Sequence, residues 1–233
     1  MFRLTSFLKR RPEFSHPEFL EYWWREHSPI AAELSGLLKY STTRPLTPAS
    51  TPYDGVAELY FEDRAAFDRV LGPDAETAAI EDVPRFIDDT SRYHLREKVH
   101  VSDVDTVREE LKEGTPVPDQ TQFPVSEFVV FRKRDDVFET AFDDALAAAI
   151  ERQKGKSDVA WLASATPVEE EAEYDVLLKR TVSGVENAEE SSSREGSPPT
   201  RQSPADEYGP VQDLAESTLE FVGYERTVVD ELP

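Results

Sequence analysis

The sequence predicts an α+β protein built from two tandem copies of one β-α-β-β-α-β unit, the split βαβ or ferredoxin-like plan. Three observations predict it. Eight short stretches read as strands, four in each half, by period-two alternation or by β-branched and aromatic content. Helical stretches fall at the same places in both halves, after the first and third strands. A link ending in a Pro/Gly turn, "DVDTVREELKEGTPVPDQ", separates them. The expected boundaries are 1–102 for the first unit, 103–125 for the linker and 126–233 for the second.

The elements follow in order. "MFRLTSFLKRR" opens as a strand, Phe2, Leu4, Ser6 and Leu8 alternating with Arg3, Thr5, Phe7 and Lys9. "SHPE" starts a helix: Ser15 and Glu18 have capping-box spacing, and Pro17 sits in the first turn, where its missing N–H costs nothing. This helix should run to about Ser28, with Pro29 kinking or ending it and Ile30 to Leu34 adding a short further turn. "GLLKYSTTRPL" and "YDGVAELYFED" read as the second and third strands. "RAAFDRVLG" and "DAETAAIEDVPRFIDD" read as helical, broken at Gly72-Pro73 and bent near Pro84, before the strand "SRYHLREKVHV".

The second half repeats the order. "SEFVVFRKR" is a strand, and "DDVFETAFDDALAAAIERQ" a helix with its apolar stripe on Phe138, Phe142, Ala145, Leu146 and Ala149. "VAWLASATP" and "AEYDVLLKRTV" are strands. The stretch near 186–208, "ENAEESSSREGSPPTRQSPADE", has almost no large apolar residue and is expected to be a disordered loop. "VQDLAESTLEFV" reads as a helix and "GYERTVVDEL" as the last strand.

The chain carries 48 acidic and 26 basic side chains, a net charge of -22. Such a charge repels phosphates and argues against nucleic acid or an anionic membrane as partner. Only 8 of the basic residues are lysine, and residues 103–233 hold 31 of the acids. Excess carboxylate with scarce lysine fits a salt-rich, halophilic cytoplasm, where screening cancels self-repulsion. Stability is therefore expected to rise with KCl into the molar range; a melting temperature flat or falling with KCl would count against salt adaptation. Cysteine is absent, which excludes disulfides, thiolate metal sites and a cysteine nucleophile. No apolar run approaches a membrane span and the first residues do not read as a signal peptide, so a cytoplasmic location is expected.

The segment "FLEYWWREHSPI" raises a chemical question. On a helical wheel His27 falls inside the apolar arc formed by Phe19, Leu20, Trp23, Trp24, Ile30, Ala31 and Leu34. A histidine there either packs its ring and satisfies a carbonyl freed by Pro29, or borders a cavity and handles a proton near neutral pH.

The longer stretch "FLKRRPEFSHPEFLEYWWREHSPI" resembles the EthD-like family, in which a first strand ends in K-R-x, a helix carries F-x-x-Y-W, and H-x-P follows. "YDGVAELYFEDRAAF" is similar to that family's third strand and following helix. The resemblance covers roughly residues 1–100. It implies a dimeric α+β barrel of two ferredoxin-like sheets, here an internal pseudo-dimer with or without further self-association. It also implies a small hydrophobic or aromatic ligand and oxidoreductase or lyase chemistry. The second half departs from the motif: "LAAAIERQ" has neither histidine nor proline, so it is expected to keep the fold and lack the site.

The candidate catalytic residues are His27 as acid/base, assisted by Glu58 or Tyr60 on the third strand. Trp23, Trp24 and Tyr40 are the candidate substrate-binding residues. Ala57, Leu59 and Phe61 suit the helix side of the sheet, and Glu58 and Tyr60 the barrel interior or a solvated face. Asp54, Tyr93 and His94 are further options. The four histidines lack metal-ligand spacing, and neither a Gly-rich phosphate loop nor a G-x-S-x-G elbow occurs, so no metal and no cofactor are expected. The alternative is a non-catalytic ligand-binding or assembly protein in which His27 is structural.

Overall fold

The protein, described by a computed structural model over residues 1–48, 51–102, 124–169, 172–182 and 203–230, forms a closed antiparallel barrel with helices outside it. The strands are β1 (Phe2–Arg10), β2 (Leu37–Pro45), β3 (Gly55–Phe61), β4 (Ile87–Ser102), β5 (Val125–Lys133), β6 (Val159–Pro167), β7 (Val176–Val182) and β8 (Ala215–Asp230). The helices are α1 (His16–Tyr22), α2 (Ser28–Ala32), α3 (Arg64–Leu71), α4 (Ala78–Asp82), α5 (Glu139–Lys154) and α6 (Pro210–Leu214). Around the barrel the order is β1-β3-β2-β8-β5-β7-β6-β4. The first four strands thus run 4-1-3-2, and the last four repeat that order. Among the described residues no helix is long and apolar enough to cross a membrane.

The repeat extends to the register. Phe2 faces Phe61 and Leu8 faces Gly55; in the second half Val125 faces Val182 and Phe131 faces Val176. The turn chemistry repeats too. The Arg10 N–H donates to Asp54 at 3.0 Å and the Lys133 N–H to Asp175 at 2.6 Å. Each "YD" therefore ties the end of its first strand to the start of its third.

Two 16-residue strands close the barrel. β4 pairs first with β1 and then with β6, and β8 first with β5 and then with β2. This double duty corrects two expectations. Residues 215–222 are strand, not helix, because β5 requires a partner along its whole length; Leu219 and Phe221 then alternate into the barrel core. Ile87–Asp89 likewise belong to β4, paired with Arg10 and Lys9, and the helical turn before them stops at Arg85.

The first helix also differs. It does not stop at Ser28 but runs through a π-helical turn, Trp23–His27, into α2. The Ser28 N–H reaches back five residues to the Trp23 carbonyl. The extra residue lets α2 begin with Pro29 in its first turn, where no donor is missed. Of the expected stripe on α5, Phe142 and Ala149 are buried, but Phe138 sits at the N-cap with 83% of its surface exposed. The linker, apart from its last two residues, and residues 183–202 lie outside the described residues. Pro204–Tyr208, assigned from composition to the loop, form a packed 3-10 turn with Ala205 and Tyr208 buried in the second-half core.

The barrel interior has an aromatic end and an ionic middle. Phe7, Phe128 and Phe221 meet at ring distances of 5.9–6.2 Å. Beyond them Lys179 binds Glu58 at 2.5 Å and Glu225 at 2.8 Å, all three buried. Glu58 and Lys179 occupy the same register position in the two halves, opposite Thr5 and Phe128 respectively. The repeat thus meets itself at its centre with opposite charges. Arg3 joins the cluster between Glu58 and Glu97, at 3.4 and 3.3 Å.

Candidate functional site

A cavity of about 500 Å³ lies in the first half, between the outer face of the sheet and the helices. Its floor is Leu4, Ser6 and Leu8 of β1, Ala57 and Leu59 of β3, and Tyr40 of β2. Trp23, His27, Ala31 and Leu34 come from the first helix, and Phe67, Leu71, Ala79 and Phe86 from the segments that follow β3. Small residues make the space. At the matching positions of the second half Val129 replaces Ser6, Leu178 replaces Ala57 and Phe131 replaces Leu8. The cross-strand pair Leu4–Leu59 is replaced there by Glu127–Arg180, an ion pair at 2.5 Å that also engages Gln153 of α5. The same layer is a cavity in one half and holds larger buried side chains and an ion pair in the other.

His27 is 8% exposed and lies on the cavity wall. Its Nδ1 is 2.9 Å from Asp82 Oδ2, and its ring packs on Phe86 with centroids 4.8 Å apart. The Tyr22 hydroxyl donates to Asp82 Oδ1 at 2.8 Å, and Arg85 lies 3.7 Å from the same oxygen. A carboxylate accepts only, so Nδ1 carries the proton and neutral His27 keeps the lone pair on Nε2. That nitrogen has no hydrogen-bond partner among the described residues. Burial pushes the imidazole below its ordinary value, and the hydrogen bond and charge of Asp82 oppose that shift. The π turn carries His27 inward while Asp82 arrives from the end of α4.

The structure brings together His27, Trp23 and Tyr40. The Trp23 indole donates to the Tyr40 hydroxyl at 3.1 Å, and Ser28 Oγ is 3.4 Å from that hydroxyl. Glu58 and Tyr60 are not with them. Both point into the barrel, on the opposite face of β3, where Tyr60 donates to Glu58 at 3.2 Å. Side chains alternate along a strand, so Glu58 cannot share a face with the cavity-lining Ala57 and Leu59. Trp24 is buried outside the cavity wall, with the Arg226 guanidinium 5.8 Å from its ring centroid. Sequence reasoning missed Asp82, the partner of His27. It lies 55 residues away in a short helix rich in acids, and nothing local marks it among them.

Gly55 adjoins this wall. A Cβ there would lie 2.3 Å from Trp23 Cζ3, and the equivalent residue of the second half is Val176. Gly55→Ala is expected to displace the indole, break its bond to Tyr40 and cost about 1–3 kcal/mol by overpacking. Chemical denaturation with tryptophan fluorescence measures it; an unchanged midpoint would show that the wall yields freely.

Residues 11–90, about a third of the chain, match the model of the EthD domain. They hold His27, Tyr40 and Asp82. No curated protein is significantly similar in sequence. Among solved structures, an anthrone oxidase-like protein superposes with a TM-score of 0.58 at 13% identity, over 99% of this chain and 94% of its own. A candidate monooxygenase from Lactobacillus acidophilus NCFM gives 0.55 at 12% identity, over 99% and 95%. Another, from Fusobacterium nucleatum subsp. nucleatum, gives 0.55 at 8% identity, over 97% and 91%. At these identities the likeness is one of fold, and it extends over the whole barrel.

Proposed function

We propose that the first-half cavity binds a small, largely apolar aromatic compound and that His27, oriented by Asp82, accepts a proton from it in a cofactor-free oxidase or lyase reaction. The observation that carries this reading is a buried histidine–carboxylate couple set in the wall of an apolar cavity. A buried structural histidine would have both ring nitrogens paired. Here one nitrogen is fixed and the other is left as a base. Removing a proton from an atom flanked by aromatic rings leaves a delocalised anion. That anion either expels a leaving group or gives electrons to molecular oxygen. Anthrone, named for one structural neighbour, has such a CH2 group and is the first compound to test by oxygen uptake.

The second half supplies the control. Ser6→Val/Ala57→Leu copies Val129 and Leu178 into the first half and fills the cavity. The variant is expected to lose binding of 4-hydroxybiphenyl, measured by calorimetry, with melting temperature unchanged or raised. Binding as tight as that of the unmodified protein, or no binding by the unmodified protein of anthrone or any hydroxylated biphenyl, would overturn the reading.

The pH dependence follows from the lowered imidazole. Because its value is lowered, His27 is predominantly neutral at about pH 6.5, the unperturbed value, and above, and the acid limb of the rate should fall below that pH. For stability the sign is the same. The folded value lies below the unfolded one, so the His27 contribution is complete above about pH 6.5 and is lost as pH falls through the folded value. A rate profile with its acid limb above neutral pH would contradict this.

A further inference from the structure

A second histidine borders the same cavity. His94, on β4, pairs with Leu4 of β1, while Ile87, next to the Phe86 that packs on His27, pairs with Arg10. The two histidines are therefore set toward opposite ends of β1. His94 Nδ1 lies 2.8 Å from Glu169 Oε1, and Arg64 NH1 is 3.7 Å from the same oxygen. Phe2 and Phe67 fix the ring from its sides, at 5.9 and 5.3 Å. Glu169 belongs to the second half, just after β6. The neighbouring Val168 donates its N–H to the His94 carbonyl at 3.0 Å and packs against the first-half core. The Tyr174 hydroxyl, also from the second half, reaches the same carbonyl at 3.4 Å.

We propose that His94, oriented by Glu169, is a second polar anchor of the cavity, so that the ligand is an elongated apolar molecule with a hydroxyl at each end. The inference rests on the ligand-binding reading above and extends it. With Nδ1–H donated to a carboxylate, the Nε2 of neutral His94 is an acceptor, as it is in His27. That nitrogen has no hydrogen-bond partner among the described residues. Two acceptors at the ends of an apolar slot select two donors on one ligand. Glu169 is a positioning residue, and through it the second half takes part in the site of the first.

The test compares 4-hydroxybiphenyl with 4,4'-dihydroxybiphenyl by calorimetry on the full chain. The diol is expected to bind about tenfold more tightly, the worth of one additional hydrogen bond. His94→Phe, which keeps the ring contacts, should abolish that preference and leave the affinity for the mono-ol within about twofold. Glu169→Ala should do the same. Imidazole 15N shifts should show unprotonated Nε2 on His94 in the unmodified protein and a mixture of tautomers in Glu169→Ala. Equal binding of the two biphenyls by the unmodified protein, or a preference that survives His94→Phe, overturns the anchor while leaving the cavity reading intact. Failure of both compounds to bind removes the cavity reading and the anchor with it.

Discussion

Lys179→Met should be the most destabilising single change in the barrel, costing about 3–5 kcal/mol, with a fall in melting temperature on the order of 10 °C. Lys179 holds Glu58 and Glu225 at 2.5 and 2.8 Å, with essentially no solvent access to any of the three. Methionine preserves the bulk and removes the charge between two buried carboxylates, leaving Arg3, 3.4 Å from Glu58, and Lys39, near Glu225, to offset them. Glu225 shows the coupling. Burial alone would raise its carboxyl, but Lys179 and Lys39 outweigh burial and hold it at about 2. Its folded value is below its unfolded one, so its contribution is complete above about pH 4.5 and is lost between there and about pH 2. Urea denaturation at pH 7 and pH 3 measures both effects. A loss below about 1 kcal/mol at pH 7 would mean that the cluster does not hold the two halves together.

Asp82→Asn should lower anthrone-dependent oxygen uptake by about 100-fold or more while leaving binding of 4-hydroxybiphenyl within a few-fold. Asp82 accepts from both Tyr22 and His27 Nδ1. An amide has one acceptor oxygen for these two donors, and its NH2 invites the imidazole to accept at Nδ1 instead. The proton then sits on Nε2, and the base in the cavity becomes a donor. Loss of the Asp82 charge also removes the influence that opposes burial, so His27 falls further below its ordinary value. A rate within twofold of the unmodified protein would show that His27 is not the proton acceptor, even if the cavity binds the compound.

His27→Ala is less decisive than a choice between a structural and a catalytic role suggests. His27 packs on Phe86 and satisfies a buried carboxylate, so its loss should reduce stability by roughly 1–3 kcal/mol whatever its chemistry. The orienting carboxylate, not the imidazole, separates the two roles.

The sequence by itself determined the local elements and their repetition. Period-two alternation placed β1, the β-branched and aromatic runs placed β2, β3 and β5, and Ser15 with Glu18 formed the predicted capping box. These are short-range signals that a few neighbouring residues carry. His27 stood out because one polar ring in an apolar arc breaks a local pattern, and alternation set Ala57 and Glu58 on opposite faces of the sheet while leaving open whether the face of Glu58 met the barrel interior or solvent. Tertiary structure decided the rest. Residues 215–222 suit a helix by composition and are strand because the edge of β5 opposite β7 would be unpaired without them. Whether His27 had a partner depended on Asp82, 55 residues away, and no local spacing reports a contact across two helices. The cavity itself is a difference between Ser6 and Val129, and between Ala57 and Leu178, at register positions that only strand pairing makes equivalent. A void is a property of several distant side chains packed at once, so no single stretch of the chain records it.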